Sequence, residues 1–187
     1  MAAVQGPPPP PEEENENSLP VDVYAIEGIF LYCGLGQAEY LHHPVFSPIK
    51  EFISAFLKDS ARLYERLLRH TDYRSLRGLN AIGQGMLQIN TDGRHNWGRA
   101  LAVLGLGAYV VDKVKDDERL LTFAIAVLPV YAYEALESQW FRSHGEWEGL
   151  RNYCERILRH RRNARRHMCY GVAAGLLALV ALFAIRR

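Results

Sequence analysis

The chain has 187 residues, of which 49% are hydrophobic and 23% are charged. That hydrophobic content is enough for one buried core, and it excludes a chain that is disordered throughout. The net charge of +1 conceals an asymmetry, because residues 151–187 hold nine of the 22 basic residues and one acid, Glu155. The basic C-terminal part is therefore expected to have a role separate from that of the acidic body.

The N-terminal segment is rich in proline and glutamate. Five consecutive prolines at residues 7–11 are followed by four glutamates before residue 17. Such a composition cannot bury enough apolar surface to offset the entropy of ordering, so residues 1–19 are predicted to be a disordered leader. A polyproline ligand for an aromatic groove is the alternative. The segment has no apolar run, so no signal peptide is predicted.

Residues 20–160 have the pattern of a helical domain, because apolar residues recur three and four positions apart and no alternating strand pattern competes. The first helix is predicted to end at Gly34. The second is predicted to begin at Ser47 as its N-cap, with Pro48 in the first turn. The third is predicted to end at residues 90–93, an Asn-Thr-Asp-Gly turn.

Two segments in the middle of the domain differ from the others. Residues 100–111 and 120–133 are uncharged and apolar on every side, and helices of that kind are usually enclosed by other helices. With 12 and 14 uncharged residues, each is shorter than an ordinary membrane span. A central buried hairpin inside a shell of amphipathic helices is therefore predicted, with a bend at Pro129.

An uncharged run of 18 residues from Met168 to Ile185 lies near the C-terminus, between arginines. As a helix it would be about 27 Å long, enough to cross a thin bilayer such as that of the endoplasmic reticulum. A single-pass tail anchor is predicted after a basic linker, residues 161–167, which keeps the body in the cytosol and meets lipid headgroups rather than nucleic acid. A buried core helix is the alternative. Gly171 and Gly175 have the spacing with which two anchors can pair.

Arg99 stands at the head of the apolar segment that begins at residue 100. Asn96 is predicted to cap this helix, and Gly98 leaves its first turn open to the close approach of another helix. No carboxylate obviously faces Arg99, which favours an amphipathic partner helix with apolar anchors and one acid. An internal ion pair of Arg99 with Asp92 or Glu146 is the alternative. The helix face that carries Arg99 also carries Ala102, Val103 and Leu106.

Residues 96–99, Asn-Trp-Gly-Arg, resemble the first homology region of the Bcl-2 family, and Trp140-Phe141 with Gly145-x-Trp147 resemble the second. The segments that resemble the Bcl-2 homologues of rhadinoviruses, gammaherpesviruses of the Kaposi's sarcoma type, are residues 25–30, 47–50, 86–88 and 128–135. The resemblance covers residues 20–187. It implies an all-α, Bcl-2-like helical bundle with a central hydrophobic hairpin and a C-terminal transmembrane helix.

The resemblance also implies a function, that of a viral anti-apoptotic protein whose hydrophobic groove captures BH3 helices. The expected partners are Bak, Bax, Bim and Bid, with Beclin in autophagy, at the host mitochondrial outer membrane or endoplasmic reticulum. Arg99 would pair with the BH3 aspartate, Asn96 would hydrogen-bond beside it, and Gly98 would admit the ligand backbone. The remaining BH3-binding residues would be Leu79, Ile82, Met86, Ala102, Val103 and Leu106. The groove would be supported by Trp97, Trp140, Gly145 and Trp147.

The sequence departs from the family pattern at two places. Many relatives have a second glycine where Glu146 stands. The second helix lacks the Leu-x-x-x-Gly-Asp pattern of a killing helix, because the frame that ends at Asp59 puts Ser54 at the leucine position and Lys58 where a small residue is needed. The chain is therefore expected to receive BH3 helices and to be a poor donor.

Two rival functions stay open at the level of sequence. A Bax-like, membrane-permeabilising pore former also suits an enclosed apolar hairpin, and a membrane enzyme is the second rival. The sequence shows no nucleophile–base pair, no carboxylate dyad and no His/Cys cluster with metal-ligand spacing. We therefore predict no catalytic activity, cofactor, metal ion or small-molecule substrate.

Overall fold

The computed structural model describes residues 22–37, 42–69 and 71–160, and these residues form helices and turns without a strand. The helices are α1 (Val23–Phe30), α2 (Phe46–Leu68), α3 (Leu76–Leu87), α4 (Trp97–Val114), α5 (Glu118–Leu136), α6 (Gln139–Ser143) and α7 (Glu146–His160). The predicted all-α class is confirmed for these residues. The predicted leader, basic linker and tail anchor, with Met168, Gly171, Gly175 and Ile185, lie outside the described residues.

The predicted end of the first helix is wrong. A π-helical turn, Leu31–Leu35, extends α1, and the chain leaves it at Gly36, whose φ of +73° lies in the left-handed region that favours glycine. Gly34 lies inside that turn, where a Cβ atom would overlap the carbonyl of Ala108 on α4. Gly34 therefore permits close packing of the turn on α4, and Gly36 terminates it.

The predicted N-cap of the second helix is also wrong. α2 begins at Phe46, one residue before Ser47, and the residue at the cap position, Val45, makes no side-chain capping bond. The turn before it explains the early start, because the amide of Phe46 donates to the carbonyl of His43 at 3.1 Å. The third helix ends as predicted, in a 3-10 turn, Gln88–Asn90, followed by a left-handed glycine at residue 93.

α4 is the central helix of the described domain. Every residue from 100 to 111 is buried, and α1, α2 and α5 pack around it. Two glycines allow this crowding: a Cβ atom on Gly107 would overlap the ring of Phe30, and one on Gly105 would overlap the hydroxyl of Tyr64. The prediction that this segment is enclosed on every side is confirmed.

α5 differs from the prediction for residues 120–133, because it is enclosed on one side only. It packs against α1, α3 and α4, whereas Thr122, Ala126 and Val130 are exposed. Small and β-branched residues are tolerated on a protein surface, so the composition of α5 does not show that one of its sides is exposed. α5 has 19 residues and is therefore longer than the 14-residue uncharged stretch within it. Among the described helices, α5 is long and apolar enough to cross a membrane.

Candidate functional site

The two motifs that suggested a family meet in space around one aromatic cluster. The ring of Trp97, the first residue of α4, lies 4.8 Å from that of Trp140 and 5.4 Å from that of Phe141, both on α6. Trp147, on α7, is buried and lies 5.8 Å from Phe141. These edge-to-face contacts hold the start of α4 against α6 and α7.

The turn between α6 and α7 requires an unusual backbone. Gly145 has a φ of +88°, and Glu146 has a φ of +48°, the one positive value found at a non-glycine residue in the described ranges. Both values lie in the left-handed region that favours glycine. This explains why a second glycine is suited to the position of Glu146. The turn lets Trp147 pack against Phe46 of α2, with 5.1 Å between ring centroids.

Two histidines flank Trp140, and sequence analysis missed both. The ring of His144 stacks on it at 4.3 Å, and the ring of His95 stacks on it at 6.2 Å. The sequence carries a signal for His144, because it follows Trp140 by four residues, the spacing that places two side chains on one face of a helix. It carries no signal for His95, which precedes α4 and meets Trp140 only in the folded chain.

Arg99 lies in the first turn of α4, as predicted, with the side chain of Asn96 accepting a hydrogen bond from its amide at 3.0 Å. The expectation that no carboxylate faces Arg99 is wrong. Its Nη1 and Nη2 atoms donate to the two oxygens of Asp92, at 2.5 and 2.7 Å, and Nη1 also donates to the carbonyl of Ile89 at 2.6 Å. Of the two internal alternatives, Asp92 is the partner. The turn at residues 90–93 folds back over the start of α4 and brings it there.

The two members of this ion pair differ in their contact with solvent. The side chain of Arg99 is 11% exposed, whereas that of Asp92 is 48% exposed. The hydrogen bond from Arg99 is the main cause that holds the pKa of Asp92 well below its usual range, and the same bond raises the pKa of Arg99. Both groups are therefore charged at neutral pH, and the acid is the member that can return to water.

The predicted pocket-lining residues are not at a surface in this structure. Relative exposure is 0% for Leu79, Ile82, Met86, Ala102, Val103 and Leu106, and Gly98 is buried as well. Beside Arg99 there is a small cleft of about 10 Å³, lined in part by Asn90, Val103 and Trp140. A helix with its side chains is about 10 Å across, so this cleft cannot hold one. The residues predicted to line a groove are therefore closed over in this structure.

α3, which would form one wall of the predicted groove, is fastened to α5. The ring of Tyr131, on α5, lies against Gly83 of α3 so closely that a Cβ atom there would overlap it. The Tyr131 hydroxyl donates to Oδ1 of Asn80 at 2.6 Å and accepts from Nε2 of Gln84 at 3.1 Å. α3 is therefore held by packing and by two hydrogen bonds.

The second half of α2 covers α4. Tyr64 stacks on Tyr109 of α4 with 5.2 Å between ring centroids, and its hydroxyl points at Gly105. This side chain is fully buried, and its hydroxyl has no hydrogen-bond partner among the described residues. α2 thus covers α4 through aromatic packing with one unsatisfied polar atom.

Comparison with known proteins identifies a viral relative of the chain. No family model matches the chain. The chain is 46% identical over 173 residues to a protein described as "Apoptosis regulator Bcl-2 homolog", from Human herpesvirus 8 type P (isolate GK18). The match covers 92% of this chain and 99% of that protein. The similarity thus extends well beyond the two short motifs. The regular secondary structure of the described residues consists of helices, which agrees with this relationship. The chain belongs to the Bcl-2 family, as a homologue of a gammaherpesvirus Bcl-2 protein.

Proposed function

We propose that the protein is a viral anti-apoptotic regulator that sequesters BH3 helices in a groove between α3 and α4. One observation carries this proposal: at the head of an apolar helix, Arg99 holds a carboxylate through both of its terminal nitrogens. A BH3 helix would present the same group, an acid beside apolar anchors. The described function of the viral relative, regulation of apoptosis, supports the same reading.

The apolar residues of α3 and α4 would supply most of the affinity. These side chains are fully buried in the hydrophobic core, so the ligand's apolar anchors would replace contacts that they now make within that core. The pair between Arg99 and the ligand's acid would then fix register and orientation rather than provide the bulk of the binding energy. Trp97, Trp140, Gly145 and Trp147 would support the end of the groove.

The second half of α2 is the element that moves when the groove opens. α3 is fastened to α5 by the Tyr131 hydroxyl, whereas the Tyr64 hydroxyl on α2 has no partner in the described part of the chain. A buried hydroxyl without a hydrogen bond costs free energy that exposure to water recovers. This recovered free energy favours α2 over α3 as the helix that moves.

The partners are BH3-containing proteins of the host. Bak, Bax, Bim and Bid fit this description for apoptosis, and Beclin fits it for autophagy. The proposed location is the mitochondrial outer membrane or the endoplasmic reticulum, with residues 168–185 as a single-pass anchor and the body in the cytosol. This anchor would keep the groove close to partners in the same membrane. Neither a catalytic step nor a cofactor is part of the proposed function.

Titration of the full-length chain with a Bim BH3 peptide tests this function. We expect tight binding that Arg99→Ala weakens by about 2 kcal/mol, because the ligand's acid loses its counterion. Arg119→Ala is a matched control, since Arg119 is an exposed arginine in the first turn of α5. It should leave the affinity within about twofold of the wild-type value. Equal affinity in Arg99→Ala and the wild type would contradict the groove assignment.

A membrane-permeabilising role is the second candidate. The observation that favours it is the length and exposure of α5, a 19-residue apolar helix that is only partly covered in the described domain. Dye release from liposomes separates the two functions. A sequestering protein is expected to release no dye by itself and to suppress release caused by Bax, whereas release by the protein alone would favour the second candidate.

A further inference from the structure

We propose that Asp92 is an internal competitor for Arg99, displaced only by a ligand that brings its own carboxylate, and is therefore a specificity-determining residue of the site. This inference rests on the proposed function, because it concerns how the same site selects its ligand.

Asp92 already makes the contact that a ligand's acid would make. Its Oδ1 atom accepts from Nη1 of Arg99 and its Oδ2 atom accepts from Nη2, while Nη1 also donates to the Ile89 carbonyl. A guanidinium presents one such two-nitrogen edge to a carboxylate in this geometry. A second carboxylate cannot form the same two bonds while Asp92 stays in place. A ligand that takes this edge must therefore exchange with Asp92, whereas a ligand that bound side-on, through Nε and the second N–H of Nη2, would leave Asp92 in place.

The turn keeps Asp92 ready to compete. Its Oδ1 atom also accepts a hydrogen bond from the amide of Arg94 at 3.0 Å, and Gly93 follows with a φ of +71°. This local bond orients the carboxylate independently of Arg99. Competition is therefore built into the backbone of residues 90–93 and does not depend on a chance rotamer.

Separation of the pair affects its two members unequally. Asp92 is half exposed, so its carboxylate regains water readily when Arg99 leaves it. Arg99 is 11% exposed and would retain only the Ile89 carbonyl as a described acceptor. A nearly buried cation without a counterion is costly. A ligand without an acid would leave the pair between Arg99 and Asp92 intact. A ligand with an acid gives Arg99 a new carboxylate in place of Asp92.

The test measures two peptides against two proteins. The peptides are a Bim BH3 peptide and the same peptide with its aspartate replaced by asparagine; the proteins are the full-length wild type and Asp92→Asn. Asparagine preserves the shape and the acceptor for Arg94, so the turn should persist. We expect Asp92→Asn to bind the aspartate peptide about five- to tenfold more tightly than the wild type does, with less than about twofold change for the asparagine peptide.

Asp112→Asn is the charge-matched control, because Asp112 is an acid at the other end of α4 whose described pairs are with Lys113 and Lys115. It should change neither affinity. If the wild type binds the aspartate peptide in an Arg99-dependent manner but Asp92→Asn binds it no more tightly, the competitor role is wrong and the groove assignment survives. If no peptide binds any of these proteins, both proposals fall.

A second measurement reports on the exchange itself. Carboxyl-carbon NMR of the free full-length chain should show the pKa of Asp92 below its usual range, because Arg99 holds the charged form. On binding of the aspartate peptide, that pKa should rise toward about 4, the ordinary value for an aspartate. Because the Arg94 amide also lowers this pKa, the diagnostic result is the change on binding. A pKa that binding leaves unchanged would show that Asp92 still holds Arg99 and would overturn the proposal.

Discussion

Tyr64 places a polar group where the described fold offers it no hydrogen bond. Its ring packs well, between Phe56 and Tyr109, with centroid distances of 5.9 and 5.2 Å, while its hydroxyl is buried against Gly105. Burial raises the pKa of this phenol far above its ordinary value, so the group is neutral. The closed form thus carries a local cost that a structure with α2 lifted from α4 would not carry.

Replacement of Tyr64 by phenylalanine tests this reading. Tyr64→Phe should raise the free energy of unfolding by about 1 kcal/mol, because it removes a buried polar atom without a partner. By stabilising the closed form, it should also weaken Bim BH3 binding by up to about fivefold. Urea denaturation and peptide titration measure the two effects. Tyr24→Phe, at a side chain that is 78% exposed, is the control and should change neither. Unchanged or lower stability in Tyr64→Phe would contradict the proposed cost.

At the same scale, the sequence predicted some residues of the site and missed others. Asn96 as a helix cap follows from local chemistry, and the structure confirms it. The partner of Arg99 could not be chosen between Asp92 and Glu146, because the choice depends on how the turn at residues 90–93 is oriented against α4. The stacking of His95 on Trp140 depends on the packing of α6 and was equally out of reach.

Among the helices, α3 and α5 form the most firmly joined pair beside the groove. The contact combines the Tyr131 ring over Gly83 with two hydrogen bonds of the Tyr131 hydroxyl, which donates to Asn80 and accepts from Gln84. α2 and α4, in contrast, are joined at Tyr64 by packing alone. This difference predicts which helix yields when a ligand enters.

Tyr131→Phe distinguishes the two possible openings. The loss of both hydrogen bonds between α3 and α5 should lower the free energy of unfolding by about 1 kcal/mol. If α2 is the moving element, Bim BH3 affinity should stay within about twofold of the wild-type value, because α3 keeps its place in both states. Thermal denaturation and peptide titration provide the two readings. Clearly tighter binding by Tyr131→Phe would show that α3, and not α2, moves away.

Helical periodicity identified the long helices correctly but not all their ends or neighbours. α4 is enclosed as predicted, because neighbouring helices remove the apolar residues on all its sides from water. α5 has a similar composition but leaves Val130 42% exposed. The π-helical turn after α1 was also missed, because Gly34 was predicted to end the helix although its role is close packing on α4. Local sequence specifies helix formation better than it specifies which helices meet.

For the whole molecule, the structure describes a closed state of a Bcl-2 family protein. Its core contains the same apolar residues that the proposed groove would offer to a ligand, so binding would exchange internal contacts for intermolecular ones. The fold class and the family followed from the sequence, and 46% identity across nearly the full viral relative supports both. The closed state could not be predicted from the sequence. Helical periodicity shows which face of a helix is apolar, but it does not show whether that face packs inside the protein or against a partner.

A structure of the full-length chain bound to a Bim BH3 peptide is the most direct measurement. We predict that the peptide's aspartate lies within about 3 Å of the Arg99 guanidinium, in place of Asp92. Its apolar anchors should contact Leu79, Ile82 and Met86, with the second half of α2 displaced from α4. A peptide bound elsewhere on the molecule, with the pair between Arg99 and Asp92 intact, would contradict the proposed mechanism.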